Sequence, residues 1–166
     1  MDEVFVGKLV NTRGLKGEVK VISNFERPDD VFKVGNFVYI NNRRSTIDHV
    51  SKVKNFILLH FEGINDINEI EFLKGSEIYV IRDSIIDEDS NDYLYSDLIG
   101  FKVKCKNQDA GEITDFINNE VNPLLEANRN GKTYFIPVNS NMIDSVNLEE
   151  ETVTLIDIGE GLFLWK

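Results

Sequence analysis

Short apolar segments separated by turn residues constrain the fold of this chain more than any other feature of its sequence. Each segment is rich in valine, isoleucine, phenylalanine and tyrosine, the residues that favour β-strands. In EVKVI (residues 18–22) the two valines alternate with Glu18 and Lys20, so one face of the strand is apolar and the other is solvated. In the first half of the chain, strands are predicted at residues 4–10, 18–22, 36–40, 47–54, 56–61 and 77–81. This spacing is typical of a small β-barrel.

One short helix is predicted at residues 67–74, between the last two of these strands. Asp66 can cap its free N–H groups, and Gly75 can end it in a left-handed conformation. Its apolar residues recur every three positions: Ile67, Ile70 and Leu73. We expect these three side chains to close one end of the barrel.

A sharp change of composition separates the two halves of the chain. Residues 83–92, DSIIDEDSND, are acidic, polar and poor in core residues, which indicates a linker. Further strands are predicted at residues 101–105, 111–116, 124–127, 133–138 and 152–157. The Asn130-Gly131 pair predicts a tight hairpin, because both residues tolerate positive φ. The predicted fold is therefore mainly β, with a barrel domain in residues 1–82, the linker, and a second β domain in residues 93–166.

The charge is distributed unevenly between the halves. Residues 1–82 contain 12 Lys+Arg and 12 Asp+Glu, whereas residues 83–166 contain 6 and 17, which accounts for the whole net charge of −11. This excess of carboxylates argues against wrapping around a nucleic acid, because phosphate neutralisation needs surplus Lys and Arg. Two interpretations of the acidic half stay open: it keeps the protein soluble, or it attracts a basic partner.

Residues that carry catalysis or bind metals are sparse. The single Cys105 cannot form an internal disulfide or a multi-thiolate zinc site, and it is expected to pack as a small core residue. Of the two histidines, His60 lies in the dense strand FILLHF and is expected to be packed or at the rim rather than catalytic. No HExxH, CxxC, GxSxG or Walker sequence occurs. We therefore expect a protein that is not an enzyme and needs no metal or cofactor.

Signals for a membrane are also missing from the sequence. No run of apolar residues approaches the roughly 18 needed for a membrane span, and the start MDEVFVG lacks the basic and apolar regions of a signal peptide. We expect a cytoplasmic, monomeric protein without membrane contact.

The segment VGKLVNTRGLKGEVKV (residues 6–21) has the pattern of a hairpin with an unusually long connection. Seven residues, 11–17, separate its strands, where a minimal hairpin needs about two. Gly14 and Gly17 permit positive φ and the close approach of another backbone. Arg13 offers a planar guanidinium to phosphate or carboxylate, and Lys8 and Lys16 add point charges. Two interpretations stay open: this basic loop binds a partner, or its glycines only turn the chain and its cations only keep it soluble.

Residues 7–19, GKLVNTRGLKGEV, resemble the N-terminal signature of RimM, a family of bacterial small-subunit ribosome maturation factors. The resemblance continues in order along nearly the whole chain. Residues 93–100, YLYSDLIG, are similar to the aromatic-Asp-Leu-x-Gly sequence that begins the second domain of that family. Further similar positions are Asp66, Asn68, Glu71, Leu73 and Gly75, then Ile136-Pro137, residues 143–148 and residues 159–163.

The resemblance implies a translation-factor-like N-terminal β-barrel and a C-terminal PRC-barrel. It also implies a non-catalytic assembly factor that binds the immature small ribosomal subunit near its head, through ribosomal protein uS19, and promotes assembly and 16S rRNA processing. An acidic second half suits such a partner, because ribosomal proteins are strongly basic.

The partner-binding residues expected from the resemblance lie in two segments. They are Lys8, Arg13, Gly14, Lys16 and Gly17 around the basic loop, and Tyr93, Tyr95 and Asp97 after the linker. The loop would contact either rRNA or protein, and the sequence leaves both open. Arg13 stands where the family usually has histidine, so a cationic donor is kept. Leu94 interrupts an adjacent aromatic pair of the family and leaves Tyr93 and Tyr95 as the aromatic contacts.

Two other classes of function stay open at this point. A β-barrel enzyme or small-ligand carrier would use a pocket at the barrel mouth with converging Asp or Glu groups. A structural module of a membrane-associated complex would also suit a PRC-like barrel, but the missing anchor argues against it. A deep polar pocket would favour the first alternative, whereas an open surface favours the assembly factor.

Overall fold

A computed structural model of the chain describes residues 2–119, 122–138 and 141–156. The chain divides into two compact units, residues 1–88 and 89–166. The boundary falls inside the acidic segment 83–92. Within that segment Ile86 is buried, and Ile85 packs against the core of the first unit. Ile85 and Ile86, the apolar pair of this segment, are therefore packed against other residues rather than fully solvated.

The first unit is a closed barrel of six strands. These are β1 (Glu3–Arg13), β2 (Glu18–Ile22), β3 (Phe37–Ile40), β4 (Arg43–Val53), β5 (Phe56–Phe61) and β6 (Glu77–Ile81). Their order around the barrel is β1-β2-β5-β4-β3-β6, and every neighbouring pair is antiparallel. In β2, Val19 and Val21 are fully buried in the core, as the alternation predicted.

Residues 67–74 form two 3₁₀ turns, Ile67–Glu69 and Glu71–Leu73, rather than the predicted helix. A 3₁₀ helix has three residues per turn, so an apolar spacing of three places Ile70 and Leu73 on the same side. Both side chains are buried in the barrel core, whereas Ile67, the third residue predicted to close the barrel, is only half-buried. The apolar spacing therefore matched the 3₁₀ period better than the α-helical one.

The start and stop signals of this segment are confirmed. The N–H of Asn68 donates to Oδ1 of Asp66 at 2.9 Å, and Gly75 has a φ of 86°. Among the described residues, the one α-helix is the single turn α1 (Pro28–Val31), which was not predicted. Its first turn combines a proline with two aspartates, a combination that favours a helix N-terminus.

The second unit is a six-stranded sheet. Its strands are β7 (Lys102–Cys105), β8 (Gln108–Ile117), β9 (Leu124–Arg129), β10 (Lys132–Pro137), β11 (Ile143–Asn147) and β12 (Thr152–Leu155). The order is β10-β9-β8-β7-β12-β11, with β12 and β7 parallel and the other pairs antiparallel. The two units together confirm the mainly β fold.

Local sequence signals predicted some features of the second unit and missed others. The hairpin at Asn130-Gly131 is confirmed, with φ of 54° and 84°. Strand β11 was missed, because its sequence IDSVN has only two apolar residues among five. Cys105 is buried, as expected. The end of the predicted strand 152–157 and residues 159–163 lie outside the described residues.

Helices of this fold are short. In residues 2–119, 122–138 and 141–156, no helix is long and apolar enough to cross a membrane.

Candidate functional site

The connection in the basic loop is shorter than the sequence predicted. β1 continues to Arg13, which pairs with Glu18 of β2, so the connection is a turn of four residues, 14–17, rather than seven. The register shifts between Leu9 and Asn11. Such a bulge inserts one residue and bends the strand without ending it, so polar residues that indicated a loop belong to the strand.

The turn 14–17 is fixed on the surface of the barrel. Gly14 and Gly17 have φ of 74° and 91°, the positive values that were predicted. Gly17 is buried, and a Cβ at this position would lie 2.5 Å from Cγ2 of Ile64. The N–H of Ile67 donates to the carbonyl of Leu15 at 2.9 Å. The glycine therefore allows the close approach that attaches the turn to residues 64–67.

His60 also holds this turn. Its Nδ1 lies 2.7 Å from Oδ1 of Asp48, and its Nε2 lies 3.1 Å from the carbonyl oxygen of Lys16. A carboxylate and a carbonyl both accept hydrogen bonds, so the doubly protonated imidazole satisfies both contacts. Burial lowers the pKa of His60, but the hydrogen bond and charge of Asp48 and the backbone carbonyls outweigh it and raise the pKa above 6.5.

A row of polar side chains crosses four strands beside this turn. Arg13 pairs with Glu18, and His60 pairs with His49. Between β2 and β5, Val19 pairs with Leu59, so continuing this register by one residue places Glu18 opposite His60. Residues directly opposite each other in antiparallel strands project from the same face of the sheet. The row and the residues at the start of the turn line a cleft of about 430 Å³.

The predicted loop residues take different places in this arrangement. Arg13, Gly14 and Lys16 line the cleft, and Gly17 anchors the turn. Lys8 lies farther along β1, opposite Glu77, and does not line the cleft. The sequence missed the two histidines as part of this site, because only the strand register brings them beside the turn.

The predicted residues of the second unit form a cluster within that unit. Tyr93 and Tyr95 are half-buried and their ring centroids lie 6.3 Å apart. Tyr95 packs on Phe116 at 5.4 Å. Leu94 between them is only 2% exposed. The departure from the adjacent aromatic pair thus places an apolar residue inward and a tyrosine on each side of it.

Asp97 fixes the backbone of this cluster. Its Oδ2 accepts the N–H of Leu94 at 2.8 Å, at the start of the 3₁₀ turn Tyr95–Leu98. This hydrogen bond satisfies one of the donors that a helical turn leaves free at its beginning. Asp97 therefore holds the backbone that carries the two tyrosines.

A smaller recess lies at another part of the barrel. Its volume is about 170 Å³, and its lining includes the core residues Ile70 and Leu73 and the charged side chains of Arg43, Arg44 and Glu69. Pockets for small ligands usually have at least about 300 Å³. In the described ranges, no three His, Cys, Asp or Glu side chains are grouped so that they could hold a metal ion. The recess therefore gives little support to the ligand-carrier alternative. The cleft of about 430 Å³ is large enough for a small ligand, but Glu18 is the one carboxylate among its lining residues, so it lacks the converging Asp or Glu groups of that alternative.

Comparison with known proteins gives two family matches. The model of the RimM N-terminal domain matches residues 4–85, and that of the RimM PRC barrel domain matches residues 95–160. The chain is 37% identical to the ribosome maturation factor RimM of Bacillus cytotoxicus over 165 residues, which cover 95% of this chain and 96% of that protein. It is 36% identical to the protein of the same name from Bacillus cereus, with the same coverage.

A solved structure also overlaps this chain. The crystal structure of the 16S ribosomal RNA processing protein RimM from Pseudomonas aeruginosa is 21% identical, with a TM-score of 0.47. The overlap covers 96% of this chain and 99% of that one.

Proposed function

The chain belongs to the RimM family of ribosome maturation factors, and from this membership we propose that it binds the immature small ribosomal subunit through ribosomal protein uS19. In that complex it promotes assembly of the head and processing of 16S rRNA without catalysing a covalent step. It acts in the cytoplasm as a monomer.

The observation that carries this proposal is the arrangement of Tyr93 and Tyr95. Both rings are half-exposed, and their backbone is fixed by buried Leu94 and by the hydrogen bond to Asp97. Aromatic side chains often dominate interface energies, and fixing them before binding reduces the entropy lost on association. The tyrosines are therefore suited to anchor a protein partner.

The charge of the second half favours a basic protein as that partner. Residues 83–166 contain 17 Asp+Glu and 6 Lys+Arg. Complementary charge accelerates encounter and disfavours acidic competitors, and its effect weakens as salt screens it. Ribosomal proteins such as uS19 are basic, so the charge and the aromatic anchors support the same partner.

Co-sedimentation of the full chain with immature and with mature small subunits tests the proposal. We expect the chain to sediment with the immature particles in preference to the mature ones. Equal association with both, or association with neither, would contradict the proposed function.

A pull-down with purified uS19 tests the protein contact separately. We expect binding that is stronger at low than at moderate salt, because the attraction between the acidic half and a basic protein is screened. If uS19 is retained at neither salt concentration, the proposal of a contact with uS19 is wrong, even if the chain binds the particle.

A further inference from the structure

Leu15, at the tip of the turn 14–17, is 82% exposed and is the most exposed large apolar side chain in the described part of the chain. Its backbone is nevertheless fixed, because its carbonyl accepts the N–H of Ile67 and the next carbonyl, of Lys16, contacts His60. A single exposed apolar side chain is common on protein surfaces, but one whose backbone is already fixed loses less entropy when a partner binds it.

Two cations flank this apolar tip. Arg13 and Lys16 are both exposed, and within the described ranges neither side chain forms an ion pair or a hydrogen bond. Glu18 lines the cleft from the strand position opposite Arg13. The two positive charges thus outnumber this carboxylate, and they are available for an anionic partner.

We propose that the turn 14–17 and the cleft beside it bind single-stranded RNA. Leu15 packs against the face of an unstacked base, and Arg13 and Lys16 contact the phosphates on either side of it. The cleft, of about 430 Å³, receives the edge of that base or its ribose. Glu18 can accept a hydrogen bond from a base amino group or from a 2′-hydroxyl.

The charge of this surface favours RNA over a ribosomal protein. This step rests on the proposed function, in which the occupant comes from an immature small subunit made of rRNA and basic proteins. Arg13 and Lys16 repel a basic protein and attract phosphates. A continuous RNA duplex fits less well, because its bases stay stacked and present only their edges in the grooves.

Fluorescence anisotropy with labelled dodecauridylate tests the proposal on the full chain. We expect this single strand to bind more tightly than an RNA duplex of the same length. The double variant Arg13→Gln/Lys16→Gln should weaken binding at least about tenfold at low salt. It should also reduce the slope of log K against log salt by about 1.4, since each phosphate contact on a single strand contributes roughly 0.7.

The apolar tip is tested with two substitutions. Leu15→Ser should weaken binding several-fold without changing the salt slope, whereas Leu15→Phe should keep or increase affinity, because an aromatic ring stacks on a base. Neither should alter stability, since the side chain is exposed. Matched controls on the same unit are Lys33→Gln/Lys74→Gln for charge and Val34→Ser, at a position 67% exposed, for the apolar change.

Three results would overturn the proposal. They are the absence of binding to dodecauridylate at low salt, duplex binding as tight as single-strand binding, and loop variants that behave like the controls.

A photo-crosslinking residue at position 15, with position 34 as the control, tests the occupant in immature particles. Crosslinks from position 15 to rRNA support the proposal, and crosslinks only to protein replace RNA with a protein occupant. If the chain does not sediment with these particles, the proposed function fails, while the dodecauridylate experiment still decides the RNA site.

Discussion

Nδ1 of His60 lies 2.7 Å from Oδ1 of Asp48, and this contact favours the charged imidazole that also holds the carbonyl of Lys16. The folded state raises the pKa of His60 above 6.5. The charged form therefore stabilises the fold fully below the unfolded pKa, and this stabilisation is lost as the pH rises through the raised pKa. We expect the NMR titration of His60 to have its midpoint above pH 6.5. The free energy of unfolding should fall as the pH rises through that midpoint.

Asp48→Asn provides the control for this prediction. The amide removes the negative charge, so the lowering effect of burial is opposed less strongly and the pKa of His60 should fall below its wild-type value. The loss of stability above pH 6.5 should shrink in parallel. An unchanged midpoint in Asp48→Asn would show that Asp48 does not set the protonation of His60.

Gly17→Ala should destabilise the protein more than Gly14→Ala. Both glycines have left-handed φ, so a side chain costs about 1 kcal/mol at either position. At Gly17 a Cβ would also lie 2.5 Å from Cγ2 of Ile64, whereas no atom lies within 4 Å of a Cβ at Gly14. We expect urea unfolding to give a cost of about 3 kcal/mol for Gly17→Ala and about 1 kcal/mol for Gly14→Ala.

The packing part of this difference can be tested with a second substitution. Ile64→Leu removes the branch that a Cβ at position 17 would meet. Part of the extra cost of Gly17→Ala should therefore disappear in the double variant. Equal costs at the two glycines would contradict the close packing of the turn.

Tyr93→Ala and Tyr95→Ala should each weaken binding to uS19 by about 2 kcal/mol if the tyrosines lie at the centre of the interface. Tyr95→Ala should also lower stability, because its ring packs on Phe116 at 5.4 Å. Calorimetric titration gives the affinities. Phe135→Ala, which removes another ring of this unit that is 39% exposed, is the control. Unchanged affinity in the double tyrosine variant would move the interface elsewhere.

Asp97→Ala and Asp97→Asn should separate positioning from direct charge contact. The hydrogen bond from the N–H of Leu94 to Oδ2 resembles a cap, so Asp97→Ala should cost about 1 kcal/mol of stability. Asn keeps an acceptor oxygen and should retain most of the stability and most of the affinity for uS19. If Asp97→Asn keeps stability but loses affinity, the carboxylate contacts the partner directly.

Local patterns predicted the strands of this fold well, because the alternation of apolar residues and the preference for turns depend on residues that are close in sequence. Strand β2 has the predicted bounds 18–22, and the hairpin at Asn130-Gly131 has the predicted positive φ values. Residues 67–74 form two 3₁₀ turns rather than the predicted helix, because an apolar spacing of three fits the 3₁₀ period better than the α-helical period of 3.6. Strand β11 lacked the apolar pattern altogether.

The cleft could not be predicted from local patterns, because contacts between strands that are distant in sequence bring its residues together. Glycines and cations marked the turn, but its length changed because of the bulge between Leu9 and Asn11. A second irregularity, between Ile47 and His49, sets the register that brings the two histidines opposite each other. A bulge shifts all later pairs by one residue, so the polar row beside the turn was visible only in three dimensions.

Tyr134 is 3% exposed, so its phenol should ionise only at high pH. This ionisation should lower the stability of the second unit in alkali. Burial raises the pKa of its phenol to about 12. A phenol whose pKa is raised by folding stabilises the fold fully below pH 10, and this contribution is lost as the pH rises toward 12. Two pKa units correspond to a loss on the order of 3 kcal/mol. Stability followed by urea unfolding should fall over this interval, with an ultraviolet titration midpoint near 12.

Tyr134→Phe distinguishes this effect from general alkaline unfolding. The variant should lose the late ionisation and much of the decline above pH 10. At neutral pH it should be about 1 kcal/mol less stable, because the carbonyl of Ala110 loses the hydrogen bond donated by the phenol. Because the hydroxyl is buried and the ring remains, the neutral-pH cost reports the hydrogen bond and the alkaline profile reports the charge. Identical alkaline profiles for Tyr134→Phe and the wild type would refute the assignment.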